Sequence, residues 1–399
     1  MGKAYARFFQ AVTSIVLYFF PWSVAKQITG AGCVTKLPEI IKGEGIDNVL
    51  IVTDQNLRKI GLLDSLLKSL EEAGIRYTIF DDVKPNPTDR NVEEGLLFYK
   101  NNGCRGMIAF GGGSPIDCSK AIGARVARPN KTTTQMNGLC TVRRRIPKIF
   151  AVPTTAGSGS ETAMSSLIIE EKTHHKAAIH DPLMIPPYAV LDPQLLVSLP
   201  PAVTSTTGMD ALCHAVESYM NHTYCTKLEI DFALDAVRLI HENLVTSYEN
   251  GNNLEARLNM QIAAFKAGRA FTRGGVGYTH AVGHALSGLY DIPHALAMAV
   301  ILPHALRQDG SAAYFRLARL AEACGMEGAD DAEKSEKFIS WIDHINAKMA
   351  IPDKFKNLIK DEDIPQIIEW AMKEANPLYP TPVYWEKPDF ERLIQTIRA

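Results

Sequence analysis

The chain has 399 residues, 46% hydrophobic and 22% charged, the proportions of a globular protein with a substantial core, and its length favours two domains over one. Lys and Arg number 42 against 44 Asp and Glu, a formal net charge of −2, so no basic excess points to nucleic acid, and the short Arg143-Arg144-Arg145 run reads as a solvated loop. Seven cysteines, scattered, odd in number and without a CxxC, argue against a disulfide framework and fit a reducing compartment such as the cytoplasm.

Residues 1–22 are an extension expected to be helical. Ala11 to Phe20 is apolar apart from Thr13 and Ser14 and follows Lys3 and Arg7. A signal peptide would need a small-residue cleavage site, which the bulky Phe19-Phe20-Pro21-Trp22 does not offer, and the run is too short to span a bilayer. Its apolar face is expected to pack on the body or on a partner, with membrane-surface contact as the lesser alternative.

From Asn48 the pattern alternates strand and helix. Strands are expected at Val49–Thr53, Ile75–Phe80, Gly106–Phe110 and Lys148–Val152. Helices are expected over Leu57–Ala73, stopped by Gly74, and from the Pro85-Asn86-Pro87-Thr88 turn to Gly103. Ser114 and Pro115 look like the cap and first residue of a further helix. This order implies a mostly parallel sheet covered by helices. After Pro200-Pro201 strand signals stop and the chain reads as helices: 208–220, 227–249, 254–270, 275–287, 294–305 and 311–324.

Two glycine-rich loops follow strands. Gly111-Gly112-Gly113-Ser114 would put bare backbone N–H groups at a helix N-terminus, an anion cradle. Thr154-Thr155-Ala156-Gly157-Ser158-Gly159-Ser160 follows the next strand. Two such loops at neighbouring strand ends favour a dinucleotide over a lone phosphate. In the helical half, Asp210 and His214 are four apart, as are His280 and His284, so each pair shares a helical face. Gly288 and Pro293 are expected to break the second helix before His294, which could turn another imidazole back toward the first, as a metal site requires. Hydrogen-bonded core histidines are the alternative that spacing leaves open.

Together these motifs resemble the iron-containing (group III) alcohol dehydrogenase family. The matching segments are Val52-Thr53-Asp54, Pro85-Asn86-Pro87-Thr88, Gly111 to Asp117, Pro153 to Glu161, Gly208 to Glu217 and His280-x3-His284-x9-His294, in the family's order; residues 1–22 lie outside its common core. The resemblance implies a Rossmann-like α/β domain with a parallel sheet (23–203) and an all-helical metal-binding domain (204–399), the architecture shared with dehydroquinate synthase-like enzymes, with the working site in the cleft between them. It implies one divalent ion, Fe2+ with Zn2+ or Ni2+ as alternatives, on Asp210, His214, His280 and His294. NAD(H) contacts would fall on Asp54, Asn86, Gly111, Gly112, Gly113, Ser114, Asp117, Thr154, Thr155, Ser158 and Lys176.

The implied function is hydride transfer between NAD(H) and a short-chain alcohol or aldehyde, acting as an aldehyde reductase in a homodimer or larger homo-oligomer. Alternatives are a lyase of the dehydroquinate synthase-like branch and a reductase of an anionic aldehyde. Arg273 would bind the anionic tail, or else serve as a structural arginine. His284, surplus to a four-ligand site, is a candidate proton relay. Asp54 ends a strand at the carboxyl edge, where it can bond both ribose hydroxyls and repel a 2′-phosphate, so NAD(H) is expected over NADP(H); Arg58 is the nearest offsetting cation.

Overall fold

The computed structural model describes residues 2–20, 22–172 and 176–399. It divides into two compact units, one made of Pro21–Leu199 and Gly251–Phe265, the other of Met1–Phe20, Pro200–Asn250 and Lys266–Ala399. The chain starts with helix α1 (Lys3–Tyr18), which belongs to the second unit.

The first unit is α/β. In chain order it contains β1 (Lys26–Thr29), α2 (Leu37–Gly43), β2 (Asn48–Val52), α3 (Gln55–Lys59), α4 (Asp64–Glu72), β3 (Arg76–Phe80), α5 (Asp89–Asn101), β4 (Gly106–Gly111), α6 (Gly113–Ala127), β5 (Gly138–Leu139), β6 (Lys148–Pro153), β7 (Ser165–Ile169), β8 (Lys176–His180) and β9 (Tyr188–Leu191). Six strands form a sheet in the order β1-β9-β6-β4-β2-β3, and every pairing in it is parallel. β2 and β4 are buried along their whole length, because helices cover both faces and their sequences can be apolar without alternation. Leu50, Met107 and Ile149 from neighbouring strands share one core with Val92 of α5 and Ile122 of α6.

The expected strands form at β2, β3, β4 and β6. Three local expectations fail. Leu57–Ala73 is two helices rather than one, since Gly61 adopts φ 70° between them and a Cβ there would lie 2.8 Å from Asp64 Oδ2. Ser114 is not a cap: Gly112 holds that position and Gly113 is already helical, because Gly111, at φ 150°, turns the chain straight from strand into helix. Gly288 does not break its helix, which continues to Tyr290 and ends at Asp291 in the left-handed region; one helical glycine costs only about 1 kcal/mol.

The second unit is helical: α7 (Pro201–Met220), α8 (Lys227–Glu249), the end of α9 (Leu254–Gly274), α10 (Tyr278–Tyr290), α11 (His294–Asp309), α12 (Tyr314–Ala323), α13 (Asp331–Lys348), α14 (Ile364–Ala375) and α15 (Lys387–Arg398). Every residue of α7 from Gly208 to Met220 is buried, which marks it as the central helix. It packs on α8 and α11, while α10 packs on α11 and α14. Among the described residues no helix is long and apolar enough to cross a membrane.

A buried charge network ties the second glycine-rich loop to the sheet unit. Lys120 of α6 is fully buried. Its Nζ donates to Ser160 Oγ at 2.8 Å and to the Ser165 carbonyl at 2.9 Å. Ser160 Oγ donates to Asp117 Oδ1, and the other Asp117 oxygen accepts from Leu167 N at 3.0 Å. Burial lowers Lys120 to about 8, with Asp117 and Glu161 pulling it back up. Lys120→Met should leave the part-buried Asp117 carboxylate without its cation, destabilise by about 1–3 kcal/mol and lower the melting temperature by several degrees. An unchanged thermal midpoint would show that the lysine contributes nothing net.

Candidate metal centre and nucleotide loops

In the α/β unit, Asp54, Asn86, Gly111, Gly112, Gly113, Ser114, Thr154, Thr155 and Ser158 follow the carboxyl ends of β2, β3, β4 and β6, while Asp117 lies in α6 and Lys176 begins β8 of the three-stranded sheet. Thr154 N donates to the Gly111 carbonyl at 3.0 Å, joining the loops after β6 and β4. A Cβ on Gly112 would lie 3.3 Å from Thr155 Oγ1, and one on Gly113 would lie 3.0 Å from Ser158 Cβ. The glycines therefore allow the two loops to touch. α6 begins there with no side-chain cap, so its first N–H groups point from a 15-residue helix toward a partly exposed surface that includes Ser114. That arrangement fits a diphosphate.

Asp54 follows β2 and bridges to Asp82, which follows β3. Its Oδ1 accepts from Asn56 N at 2.9 Å and Leu57 N at 3.1 Å, capping α3. Asn86 sits in the loop beyond β3 at φ 54°. The Asp117 carboxylate is engaged by Ser160 and Leu167, so it holds the loop from behind. Lys176 begins β8, where its backbone pairs with Ile169; its side chain lies outside the described residues.

In the helical unit, the four expected metal ligands converge. Asp210 and His214 are one turn apart on α7, His280 lies on α10 and His294 opens α11. One ligand atom from each lies within 4.8 Å of all the others. Asp210 Oδ1 is 3.4 Å from His294 Nε2, 3.8 Å from His214 Nδ1 and 4.0 Å from His280 Nε2. Four ligands each about 2.1 Å from a common tetrahedral centre stand about 3.4 Å apart, so the cluster has nearly the size such an ion needs. Asp210 Oδ1, His214 Nδ1 and His280 Nε2 are buried with no hydrogen-bond partner among the described residues. Each such atom costs about 1–3 kcal/mol unless something compensates it. A divalent cation compensates all three at once, and the residues present fit one.

The surroundings prepare these groups. Burial lowers His214 to about 4, which keeps its ring neutral, the form that binds metal. The ring stacks on Phe271 with centroids 4.4 Å apart. Burial pushes the Asp210 carboxyl up, but the neighbouring imidazoles, His214 foremost, hold it well below the usual carboxylate range. His280 Nδ1 lies 2.6 Å from Glu217 Oε2. Glu217 also accepts from Gly277 N and Thr279 N, both at 2.7 Å. These donors, with His280, hold its pKa down against burial. With its proton on Nδ1 toward Glu217, His280 turns the Nε2 lone pair to the centre.

His284 stands beside the cluster. Its ring stacks on His294 with centroids 5.0 Å apart and lies edge-on to His280 at 5.7 Å. His284 Nδ1 is 2.7 Å from Glu374 Oε1, which also accepts from the Tyr379 hydroxyl at 2.8 Å. Arg273 donates to the Tyr224 carbonyl at 2.8 Å and lies 3.8 Å from Glu229.

Two residues were missed by sequence reasoning. Glu217 lies on the same stripe of α7 as Asp210 and His214, two turns beyond the first, so the spacing that revealed those two could have revealed it. Glu374 is 90 residues from His284, and nothing local announces it.

Two family models match the chain: "Iron-containing alcohol dehydrogenase" over residues 25–193 and "Fe-containing alcohol dehydrogenase family, C-terminal" over residues 204–397. The 1,3-propanediol dehydrogenase of Klebsiella pneumoniae is 37% identical, covering 93% of this chain and 94% of its own. The lactaldehyde reductase of Escherichia coli is 31% identical over 87% of this chain and 91% of its own. Among solved structures, an alcohol dehydrogenase from Oenococcus oeni superposes with a TM-score of 0.90 at 32% identity, covering 94% of this chain and all of that one. The family works with NAD(H) and iron. The chain belongs to the iron-containing alcohol dehydrogenase family, whose fold it carries.

Proposed function

We propose that this NAD-dependent iron-type alcohol dehydrogenase acts as a reductase of short, uncharged aldehydes, hydroxylated ones included, with Asp210, His214, His280 and His294 holding its metal. The observation that carries the assignment is the convergence of those four side chains with three orphaned polar atoms buried among them. When bound, the ion supplies Lewis acidity toward the alcohol or aldehyde oxygen, and the nicotinamide supplies the hydride. Glu217 fixes the tautomer of His280. The relatives named for 1,3-propanediol and lactaldehyde support a small neutral substrate. Arg273 is engaged by Tyr224 and Glu229, which supports a structural role over capture of an anionic tail. We further read the enzyme as a cytoplasmic homodimer or larger homo-oligomer; seven free cysteines support a reducing compartment. An aldehyde panel with NADH and iron-loaded enzyme tests the substrate class. Lactaldehyde or 3-hydroxypropanal should exceed sulfo- and phosphonoacetaldehyde by tenfold or more in kcat/KM, and the reverse order would overturn the reading.

His280→Ala should remove bound iron along with activity, whereas Glu217→Gln should keep the fold and weaken metal affinity about 10- to 100-fold. Stoichiometric iron in His280→Ala, by elemental analysis, would refute the ligand assignment.

His284 is proposed to pass the substrate's proton toward solvent, positioned by Glu374 through Nδ1. His284→Ala should retain iron and change the pH dependence of kcat/KM. An unchanged profile would leave it a packing residue.

For the cofactor, Asp54, Asp81 and Asp82 gather carboxylates at the ends of β2 and β3, and Arg58 is held by Asp81 at 2.6 Å. An ionic 2′-phosphate would meet like charge there. Asp54→Gly costs its helix cap only a few tenths of a kcal/mol and should raise the NADPH-to-NADH preference on the order of a hundredfold. Wild-type enzyme using both equally would contradict this, and Asp81→Asn, which frees Arg58, should then change nothing.

A further inference from the structure

Helix α1 sits on the body through Ala6, Gln10 and Leu17, which are buried, with Arg7 and Ser14 bonding beside them, and turns its larger apolar side chains outward. Arg7 donates to the carbonyls of Thr381 at 2.8 Å and Pro382 at 3.1 Å. Gln10, 1% exposed, donates to those of Pro377 and Tyr379, both at 2.9 Å. Ser14 Oγ donates to the Thr223 carbonyl at 2.8 Å. The opposite face is apolar and open: Phe8 is 69% exposed, Ile15 63% and Phe19 78%, with Tyr5, Val12 and Val16 between 45% and 50%. Between Ala4 and Phe20 the only charged residue is Arg7, and it faces the body. Of the two places expected for the apolar face, the body takes only Ala6 and Leu17 of it, and the larger apolar side chains face away.

The outward stripe has its own pattern. Tyr5, Phe8, Val12, Ile15 and Phe19 are spaced three, four, three and four apart, the seam of an antiparallel or parallel helix pair. The stripe is also nearly palindromic about Val12. Tyr5 and Phe19 lie seven residues to either side, and Phe8 lies four before while Ile15 and Val16 lie three and four after. A two-fold axis through an antiparallel pair requires that symmetry, because each contact must occur twice with its members exchanged. Tyr5 then meets Phe19 of the second copy, Phe8 meets Ile15 and Val16, and Val12 meets itself. Together with Tyr18, these side chains expose roughly 800 Å2, about one partner's share of a stable interface.

A bilayer is the other surface that would accept such a face. Interfacial helices usually add basic residues that draw them to anionic lipid. Here Lys3 is the one exposed cation on α1, and the whole chain carries −2. The symmetry has no use on a bilayer. α1 also precedes residues 25–193, where the family model begins its match, so this surface is an addition to the shared core.

We propose that α1 is a homotypic docking helix: two copies of this chain pair antiparallel through the Tyr5–Phe19 stripe, about a two-fold axis at Val12. The contact is independent of the substrate and metal assignments. It is tested on the full-length holoenzyme by single cysteine substitution and mild oxidation, read on non-reducing gels. Val12→Cys should pass mostly into a band at twice the 43.9 kDa chain mass. Phe8→Cys alone should not, but a mixture of Phe8→Cys and Ile15→Cys should, and the wild type, with its seven native cysteines, sets the background. Self-crosslinking of Phe8→Cys as strong as that of Val12→Cys would overturn the antiparallel register. Absence of crosslinking in Val12→Cys above the wild-type background would overturn the proposal, as would sedimentation of uncrosslinked protein with phosphatidylcholine–phosphatidylserine vesicles.

Discussion

The carboxylate of Asp210 lies buried among three imidazoles, and one of its oxygens has no hydrogen-bond donor among the described residues. A lone carboxylate in that position would cost several kcal/mol, and neighbouring nitrogens at 3.4 to 4.0 Å cannot repay it as hydrogen bonds do. A cation at the common centre resolves the deficit for the carboxylate and the imidazoles together. The rest of the helical unit follows from placing those four groups. α7, which carries Asp210, His214 and Glu217 on one stripe, is buried from Gly208 to Met220 by its packing on α8 and α11. The left-handed turn at Asp291 and the following Pro293 return the chain so that His294 opens α11 toward the centre. Glu217 is held by two backbone donors, Gly277 N and Thr279 N, so that it can orient His280.

The α/β unit works on a different constraint, which is close approach of backbone to backbone. Gly111, Gly112 and Gly113 let the strand turn directly into α6 and let the next loop lie against it. Lys120, Asp117 and Ser160 then lock that loop from the rear. The outcome is an uncapped helix N-terminus beside hydroxyl-bearing residues, with carboxylates at the ends of β2 and β3. Backbone donors at the ends of β4 and β6 are thereby separated along one sheet edge from carboxylate acceptors at the ends of β2 and β3.

Much of this was legible in the sequence because the relevant signals are local. Ligand-type residues four apart on apolar helices point to the cluster of Asp210, His214 and His280 that the fold brings together, and glycine runs directly after apolar strands point to the touching loops at the sheet edge. What escaped has physical reasons. β1 and β9 are four residues each, and the Lys26-Gln-Ile-Thr29 strand has no apolar run to reveal it. Gly288 was read as a breaker, yet its helix gains enough from packing on α11 and α14 to absorb the cost. Glu374 reaches His284 only through tertiary packing of α14 on α10. The orientation of α1 was beyond pattern reading: Arg7, Gln10 and Ser14 find backbone carbonyls on the body, so the helix buries Ala6 and Leu17 there while Phe8, Ile15 and Phe19 face out.

The central claim is that Asp210, His214, His280 and His294 of the helical unit hold one divalent ion. Anomalous diffraction across the iron absorption edge, from crystals of iron-loaded enzyme, tests it most directly. The account predicts a single iron peak per chain, about 2.1 Å from a ligand atom of each of the four side chains, with Glu217 and Glu374 outside the coordination sphere. A peak bound elsewhere, or a sphere that omits Asp210 or includes Glu217 as a ligand, would contradict it.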